Sequence, residues 1–199
     1  CQNHEISMTG QGQENRDSVW VSPDMLADKA LKCRELGNIG VAFTYNEPLV
    51  GWEYVRDTAK LVKKSGMVSV LVTNGTASRE VLNGLLPYID AMNIDLKGFT
   101  QEYYRKLGGD LETVKAFITQ AASACHVELT TLIVPGENDK AEDMEKEARW
   151  IASVGKEIPL HVTRFFPRYH MVDREATDIS QVHHMAKTAR KYLDYVFVG

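Results

Sequence analysis

Cysteine is scarce in this sequence: three of 199 residues, at positions 1, 33 and 125. An odd count at irregular spacing excludes a disulfide scaffold and implies a reducing, cytoplasmic compartment. Long apolar runs are missing too. Stretches such as Val68–Val72 are far too short to cross a bilayer, so no membrane partner is expected. No excess of positive charge exists either, since 23 basic against 27 acidic residues leave −4. That excludes a basic field for nucleic acid and a polybasic anchor. There is no Gly-x-Gly-x-x-Gly and no P-loop, which removes support for dinucleotide and nucleoside triphosphate folds. The histidines at 126, 161, 170, 183 and 184 form neither His-x-x-x-His nor His-Glu-x-x-His. His183 and His184 are neighbours and cannot share a helix face, so a metal hydrolase is weakly supported.

What is present is an ordinary globular balance, 44% hydrophobic and 25% charged. The length suits one domain or two small ones, with enough chain to bury a full core. Along it, helical and strand periods alternate. Ser22-Pro23-Asp24 opens a helix that Gly37 ends. Ile39–Tyr45 reads as a strand, Trp52–Ser65 as a helix, and Val68–Thr73 as a strand buried on both faces. Ser78–Tyr88 is helical, Ala91–Leu96 a strand, Leu111–Ala124 a helix and Val127–Val134 a strand. Asp139–Val154, Leu160–Phe166, Asp178–Tyr192 and Tyr195–Val198 complete the alternation as helix, strand, helix and strand. No hairpin signal and no fixed repeat interrupts it. Such alternation means an α/β fold with parallel strands, either an open sheet or a barrel. Eight β/α units would need about 250 residues. A partial (β/α) TIM-like barrel is therefore expected.

In barrels of this kind the site is built where strands end. The strand ends here are Thr44-Tyr45-Asn46-Glu47-Pro48, Thr73-Asn74-Gly75-Thr76, Asp95-Leu96-Lys97-Gly98, Val134-Pro135-Gly136-Glu137-Asn138-Asp139 and Arg164 through His170. Each alone reads equally well as a turn or a cap; five at one rim point to a site. Asp95 and Lys97 are two apart and share a strand face. They are candidates for an acid–base pair or a clamp on a zwitterion, with a plain salt bridge as the rival reading. Cys33 and Cys125 read as small packed residues, Cys33 in mid-helix and Cys125 between helix and strand.

Cys1-Gln2-Asn3 with Glu5-Ile6-Ser7 resembles the segment from the third cysteine of the radical-SAM Cys-x3-Cys-x2-Cys loop. The group in question is the AmmeMemoRadiSam and pyruvate formate-lyase activating enzyme-like family, where a Trp stands at the place of His4. Thr44–Pro48 is similar to its Gly-Gly-Glu-Pro motif. Thr73–Gly75, Asp95–Phe99, Thr131–Gly136 with Asn138-Asp139, and Arg164–Pro167 with Tyr169 and Met171 follow in family order. The resemblance covers essentially the whole chain.

It implies a [4Fe–4S] cluster held by three cysteines, with S-adenosylmethionine bound to the fourth iron. Reductive cleavage would give methionine and a 5′-deoxyadenosyl radical that abstracts a hydrogen atom. Cys1 would be a cluster ligand. Asn46 and Glu47 would hold the methionine moiety, with the Glu47 carboxylate against the α-ammonium. Thr73, Asn74 and Asp95 would line the ribose and carboxylate side, and the Val134 backbone and His170 the adenine. Lys97 would lie near the sulfonium or the substrate. The family implies a glycyl-radical protein or a small molecule as substrate, and an electron donor such as flavodoxin or ferredoxin. Two of the three family cysteines have no counterpart here. Residues 1–199 are thus expected to be a single core domain, truncated at the N-terminus and at the C-terminus and inactive as given. A lipoprotein start is the rival account of Cys1. A Schiff-base aldolase using Lys97 is the rival enzyme, and a non-catalytic partner-binding domain the rival outside catalysis.

Overall fold

In the computed structural model the described residues are 19–199. The expectations for Cys1 and the polar lead-in lie outside them. Helix α1 (Pro23–Lys32) starts where Ser22 Oγ accepts the Met25 N–H at 3.4 Å, with a proline in the first turn. It tightens into a 3₁₀ turn at Cys33–Leu36, and Gly37, at φ 89°, ends it. Cys33 is therefore not in mid-helix: it opens the tight turn that satisfies the last helical carbonyls.

Then follow β1 (Gly40–Phe43), a 3₁₀ turn at Pro48–Gly51, α2 (Trp52–Lys64), β2 (Val68–Thr73), α3 (Arg79–Leu85) and β3 (Ala91–Asp95). After these come α4 (Gln101–Lys106), α5 (Leu111–Ala122), β4 (His126–Ile133), α6 (Ala141–Gly155), β5 (Leu160–Arg164), α7 (Ile179–Ala189) and β6 (Val196–Val198). Helix α4 was not expected from periodicity. It is a short segment, capped by Thr100, whose Oγ1 accepts the Tyr103 N–H at 3.2 Å.

The six strands lie in sequence order in one open sheet, and every neighbouring pair is parallel. The crossovers between successive strands lay helices against the sheet, α2 on β1 and β2, α5 on β4, and α7 on β5 and β6. This is an α/β partial barrel. At its first edge the backbones come very close, because a Cβ on Gly40 would lie 1.9 Å from the Val68 carbonyl oxygen.

The register sorts side chains by face. The row Thr73, Ile94, Leu129, Leu160 and Val196 faces the helices and is buried. Burial of each such aliphatic side chain contributes about 1.5–3 kcal/mol. The opposite, inner face carries the row Asp95, Thr130, His161 and Phe197. A complete barrel fills that face with packed apolar layers; here it is polar and half-exposed. For the same reason β2 is not buried on both faces. Ser69, Leu71 and Thr73 are covered, while Val68 keeps 38% of its surface.

Candidate functional site

All strands point the same way, so their C-terminal ends form one rim. There the connections are held by side chains that reach from one strand exit to the next. At the first exit, the Glu47 carboxylate caps its own turn, accepting the Leu49 N–H at 3.1 Å. It also accepts the Thr73 hydroxyl at 2.6 Å and the Asn74 N–H at 2.7 Å. Thr73 Oγ1 in turn accepts the Gly75 N–H at 3.2 Å, and Asn74 Oδ1 the Thr76 N–H at 2.8 Å. Three of the expected site residues, Glu47, Thr73 and Asn74, are thus directly bonded. Asn46 sits exposed on the same turn.

At the third exit, Lys97 Nζ lies 2.5 Å from Asp95 Oδ2. This is an ion pair between half-exposed side chains. An aldolase lysine needs a free amine in an apolar pocket, and Lys97 is engaged instead. The backbone around the pair is fixed from three sides. The Leu96 N–H donates to the Thr130 carbonyl at 3.0 Å, and the Lys97 N–H to the Tyr104 hydroxyl at 3.1 Å. Asn138 Nδ2 donates to both the Lys97 and Leu132 carbonyls at 2.8 Å, while its Oδ1 accepts the Val134 N–H at 2.7 Å. One buried amide therefore joins the third and fourth exits and sets the Val134 backbone.

Thr177 does the same for the fourth and fifth exits. Its hydroxyl donates to the Ile133 carbonyl at 2.6 Å and accepts the Phe165 N–H at 3.1 Å. Farther out, Glu137 takes Lys106 at 3.1 Å and Arg174 at 3.4 Å. The hydrogen bond from Lys106 leads in holding its carboxyl below the usual range, with Arg174 adding to it against partial burial. His170 lies exposed in the loop after β5, its ring centroid 3.8 Å from that of Tyr169. It belongs to the rim by position, with no hydrogen bond drawing it to the other site residues in the way that Glu47 draws Thr73.

Sequence reading alone did not single out Thr177, Tyr104 or Glu147. Thr177 and Glu147 are polar side chains in the core, and a lone Thr or a Glu in a charged helix carries no periodic signal. Their signature is three-dimensional. A second titratable cluster lies at the entry half of the inner face. Glu128 takes His161 at 2.7 Å and His126 at 3.2 Å. Burial raises its pKa, but the two imidazole hydrogen bonds outweigh it and leave the carboxyl lowered.

Cys33 and Cys125 both sit where helices return to the entry side, opposite the rim. Burial pushes the Cys125 thiol up to about 11, the reverse of what a metal thiolate requires. Among the described residues, no group of three His, Cys, Asp or Glu side chains is placed to hold a metal ion. No helix among them is long and apolar enough to cross a membrane.

Comparison with known proteins agrees with this geometry. Residues 1–151 match the model of the Radical SAM superfamily. An uncharacterized protein of Methanocaldococcus jannaschii is 36% identical over 163 residues, which are 80% of this chain and 48% of that protein. The chain thus spans about half the length of the curated relative it matches. Among solved structures, a domain of pyruvate-formate lyase-activating enzyme from Bacteroides vulgatus superposes with a TM-score of 0.69 at 18% identity. That match covers 80% of this chain and 98% of that one. SuiB of Streptococcus suis, bound to precursor peptide SuiA, gives a TM-score of 0.74 at 10% identity, over 94% of this chain and 44% of that one. These two likenesses concern the fold. The family, whose members use a [4Fe–4S] cluster and S-adenosylmethionine, rests on the model match and the archaeal relative: this chain belongs to the Radical SAM superfamily.

Proposed function

We propose that residues 1–199 form a single core domain that binds S-adenosylmethionine at the exit rim and serves a radical-SAM oxidoreductase similar to pyruvate formate-lyase activating enzyme. The observation that carries this reading is the Glu47 weld, which brings Glu47, Thr73 and Asn74 to one point beside the Asp95–Lys97 pair. The ligand has an ammonium, a carboxylate and a sulfonium, and so needs acceptors and donors side by side. Glu47 has lone pairs left after its three protein bonds, and it serves as acceptor for the α-ammonium together with Asn46. Asn74 and Asp95 line the ribose and carboxylate side, while Thr73, buried behind them, holds the Glu47 carboxylate in place instead of lining the ligand. The Val134 backbone, fixed by Asn138, and His170 flank the adenine. Lys97 faces the sulfonium end or the substrate.

The donor set fits S-adenosylmethionine. It does not fit the cluster among the described residues, where Cys33 and Cys125 lie at the wrong end of the sheet; Cys1 alone has the family's pattern. A [4Fe–4S] cluster, of which Cys1 would be one ligand, would supply the electron for reductive cleavage of the sulfonium. The role of this chain's residues is to hold the sulfonium still and in one orientation, which is where positioning contributes to rate. The hydrogen donor is a glycyl-radical protein or a small molecule, the electron donor a flavodoxin or ferredoxin, and the setting cytoplasmic.

The test is anaerobic reconstitution of the full-length protein with iron and sulfide, followed by reduction in the presence of S-adenosylmethionine. Formation of 5′-deoxyadenosine and methionine is expected. A protein carrying its full complement of iron that binds no S-adenosylmethionine and forms neither product would refute the reading.

A further inference from the structure

Among the described residues, Glu147 is the only carboxylate or basic group that is buried, with 2% of its surface accessible. It projects from α6 against the back of β4, where its Oε1 lies 2.5 Å from Thr131 Oγ1. Thr131 Oγ1 lies in turn 2.8 Å from the Leu96 carbonyl. A hydroxyl has one proton for two such acceptors. With Glu147 neutral, the acid O–H donates to Thr131, and the Thr131 proton is free for Leu96; all three groups are satisfied. With Glu147 ionised, the Thr131 proton turns to the carboxylate and the Leu96 carbonyl loses its bond. Leu96 stands between Asp95 and Lys97, so this chain ends at the strap that presents the rim's ion pair.

We propose that Glu147 is a positioning residue: as a neutral acid it fixes the Asp95–Lys97 strap through Thr131, and so tunes the affinity of the exit rim for S-adenosylmethionine. The inference rests on reading that rim as the S-adenosylmethionine site. Geometry carries it, and the environment agrees. Burial raises the Glu147 pKa to about 8, the Thr131 hydrogen bond opposes the rise, and Asp143 one turn earlier adds to it. Asp143 itself pairs with Lys146 at 3.2 Å. Tyr104 of α4 is the other ionisable group coupled to Glu147, and burial keeps its phenol protonated. On the flanks of α6, Lys115 of α5 sits over the Trp150 ring, and Tyr192 beyond α7 donates to Glu145, which also takes Arg149. None of these supplies a cation to Glu147. The other groups that hold the strap (the Thr130 carbonyl, the Tyr104 hydroxyl and Asn138) keep their charge through this range.

Two readouts on the full-length protein test the proposal, each as the ratio of wild type to Glu147→Gln across pH values on both sides of 8. The Gln amide donates to Thr131 as the neutral acid does, and it cannot ionise. The first readout is hydrogen exchange at the Leu96 and Lys97 amides without ligand. The second is the S-adenosylmethionine dissociation constant of the cluster-loaded protein. Taking the ratio removes titration of the ligand itself. Below pH 7 both ratios should be near one. Above pH 8 the wild type should exchange about tenfold faster and bind several-fold more weakly, the size of one lost hydrogen bond. Thr131→Val should show the loss at every pH, and Thr131→Ser should restore it. An exchange ratio that stays flat across pH would overturn the positioning role, whether or not the ligand binds. A shifting exchange ratio in a wild type that binds no S-adenosylmethionine would uphold the strap device and refute the reading of the rim.

Discussion

The two ends of the sheet are closed in different ways. At the entry end, backbone continues the ladder. Val68 N–H donates to Ile39 at 3.0 Å, Asp90 N–H to Ser69 at 2.9 Å, His126 N–H to Asp90 at 3.2 Å, and Leu160 N–H to Tyr195 at 3.0 Å. Of the side chains there, Asp90 joins two neighbouring strands through its 2.8 Å bond from Ser69 N–H, while Asn38, Arg34 and Lys63 donate to the helix and turn carbonyls of Ala30, Ser65 and Pro87. At the exit end backbone bonds such as Leu96 N–H to the Thr130 carbonyl continue, but Glu47, Asn138 and Thr177 are added to them, each a polar side chain that satisfies backbone groups at two successive strand exits. A backbone joint survives most substitutions because every residue carries the same amide. A side-chain joint fails when one residue changes, and it leaves buried groups unpaired. The exit rim is therefore the sequence-sensitive end, as expected where a ligand must be met by fixed donors and acceptors.

The sharpest break of that contrast is Asn138→Asp. It removes two donors from the Lys97 and Leu132 carbonyls and sets a carboxyl against them. Denaturant unfolding should show a loss of about 4 kcal/mol. Thr177→Val comes next. It strands the Ile133 carbonyl and the Phe165 N–H in a site with no accessible surface. A loss of about 2–3 kcal/mol is expected, with Thr177→Ser recovering most of it. If both variants unfold like the wild type, the exit joints are ornamental.

Glu147 sharpens the comparison through pH. The native state keeps a proton that the unfolded chain releases above its ordinary value of 4.5, because burial raises the folded value to about 8. Stability from this group is therefore complete below about pH 4.5, declines as pH rises toward 8, and is level beyond. Glu147→Gln should lack that decline, and the two proteins should diverge by a few kcal/mol across the window. Parallel stability curves would contradict it. At the entry end the effects should be smallest. Cys33→Ser, in an exposed 3₁₀ turn, should shift stability by no more than about 0.5 kcal/mol.

Much of this architecture was legible in the residues. Val68–Thr73 is a strand over the expected span, and Trp52 opens a helix that runs to Lys64. The Ser22-Pro23 start works because hydroxyl and ring each suit one position of a first turn. Strand ends were less legible. Ile39–Tyr45 shrinks to Gly40–Phe43, since at Tyr45 the backbone turns to φ 31° and leaves the ladder. The helix read from Asp139 begins at Ala141, because Asp139 Oδ2 accepts the Gly136 N–H at 2.9 Å and stays in the turn. Asp95 and Lys97 were visible as a pair because a strand's period of two fixes their common face. Thr177, forty-four residues from the carbonyl it bonds, was not visible, and no local rule could have found it.

The central claim is that the exit rim, and not the entry end, holds S-adenosylmethionine through the Glu47 carboxylate. Calorimetric titration of the full-length, anaerobically loaded protein tests it most directly, comparing wild type with Glu47→Gln and Cys33→Ser. A charge-assisted hydrogen bond of about 1.5–3 kcal/mol corresponds to roughly 10- to 150-fold in affinity. Glu47→Gln should weaken binding by that factor, and Cys33→Ser should leave it unchanged. Equal affinity in Glu47→Gln and wild type would contradict the account.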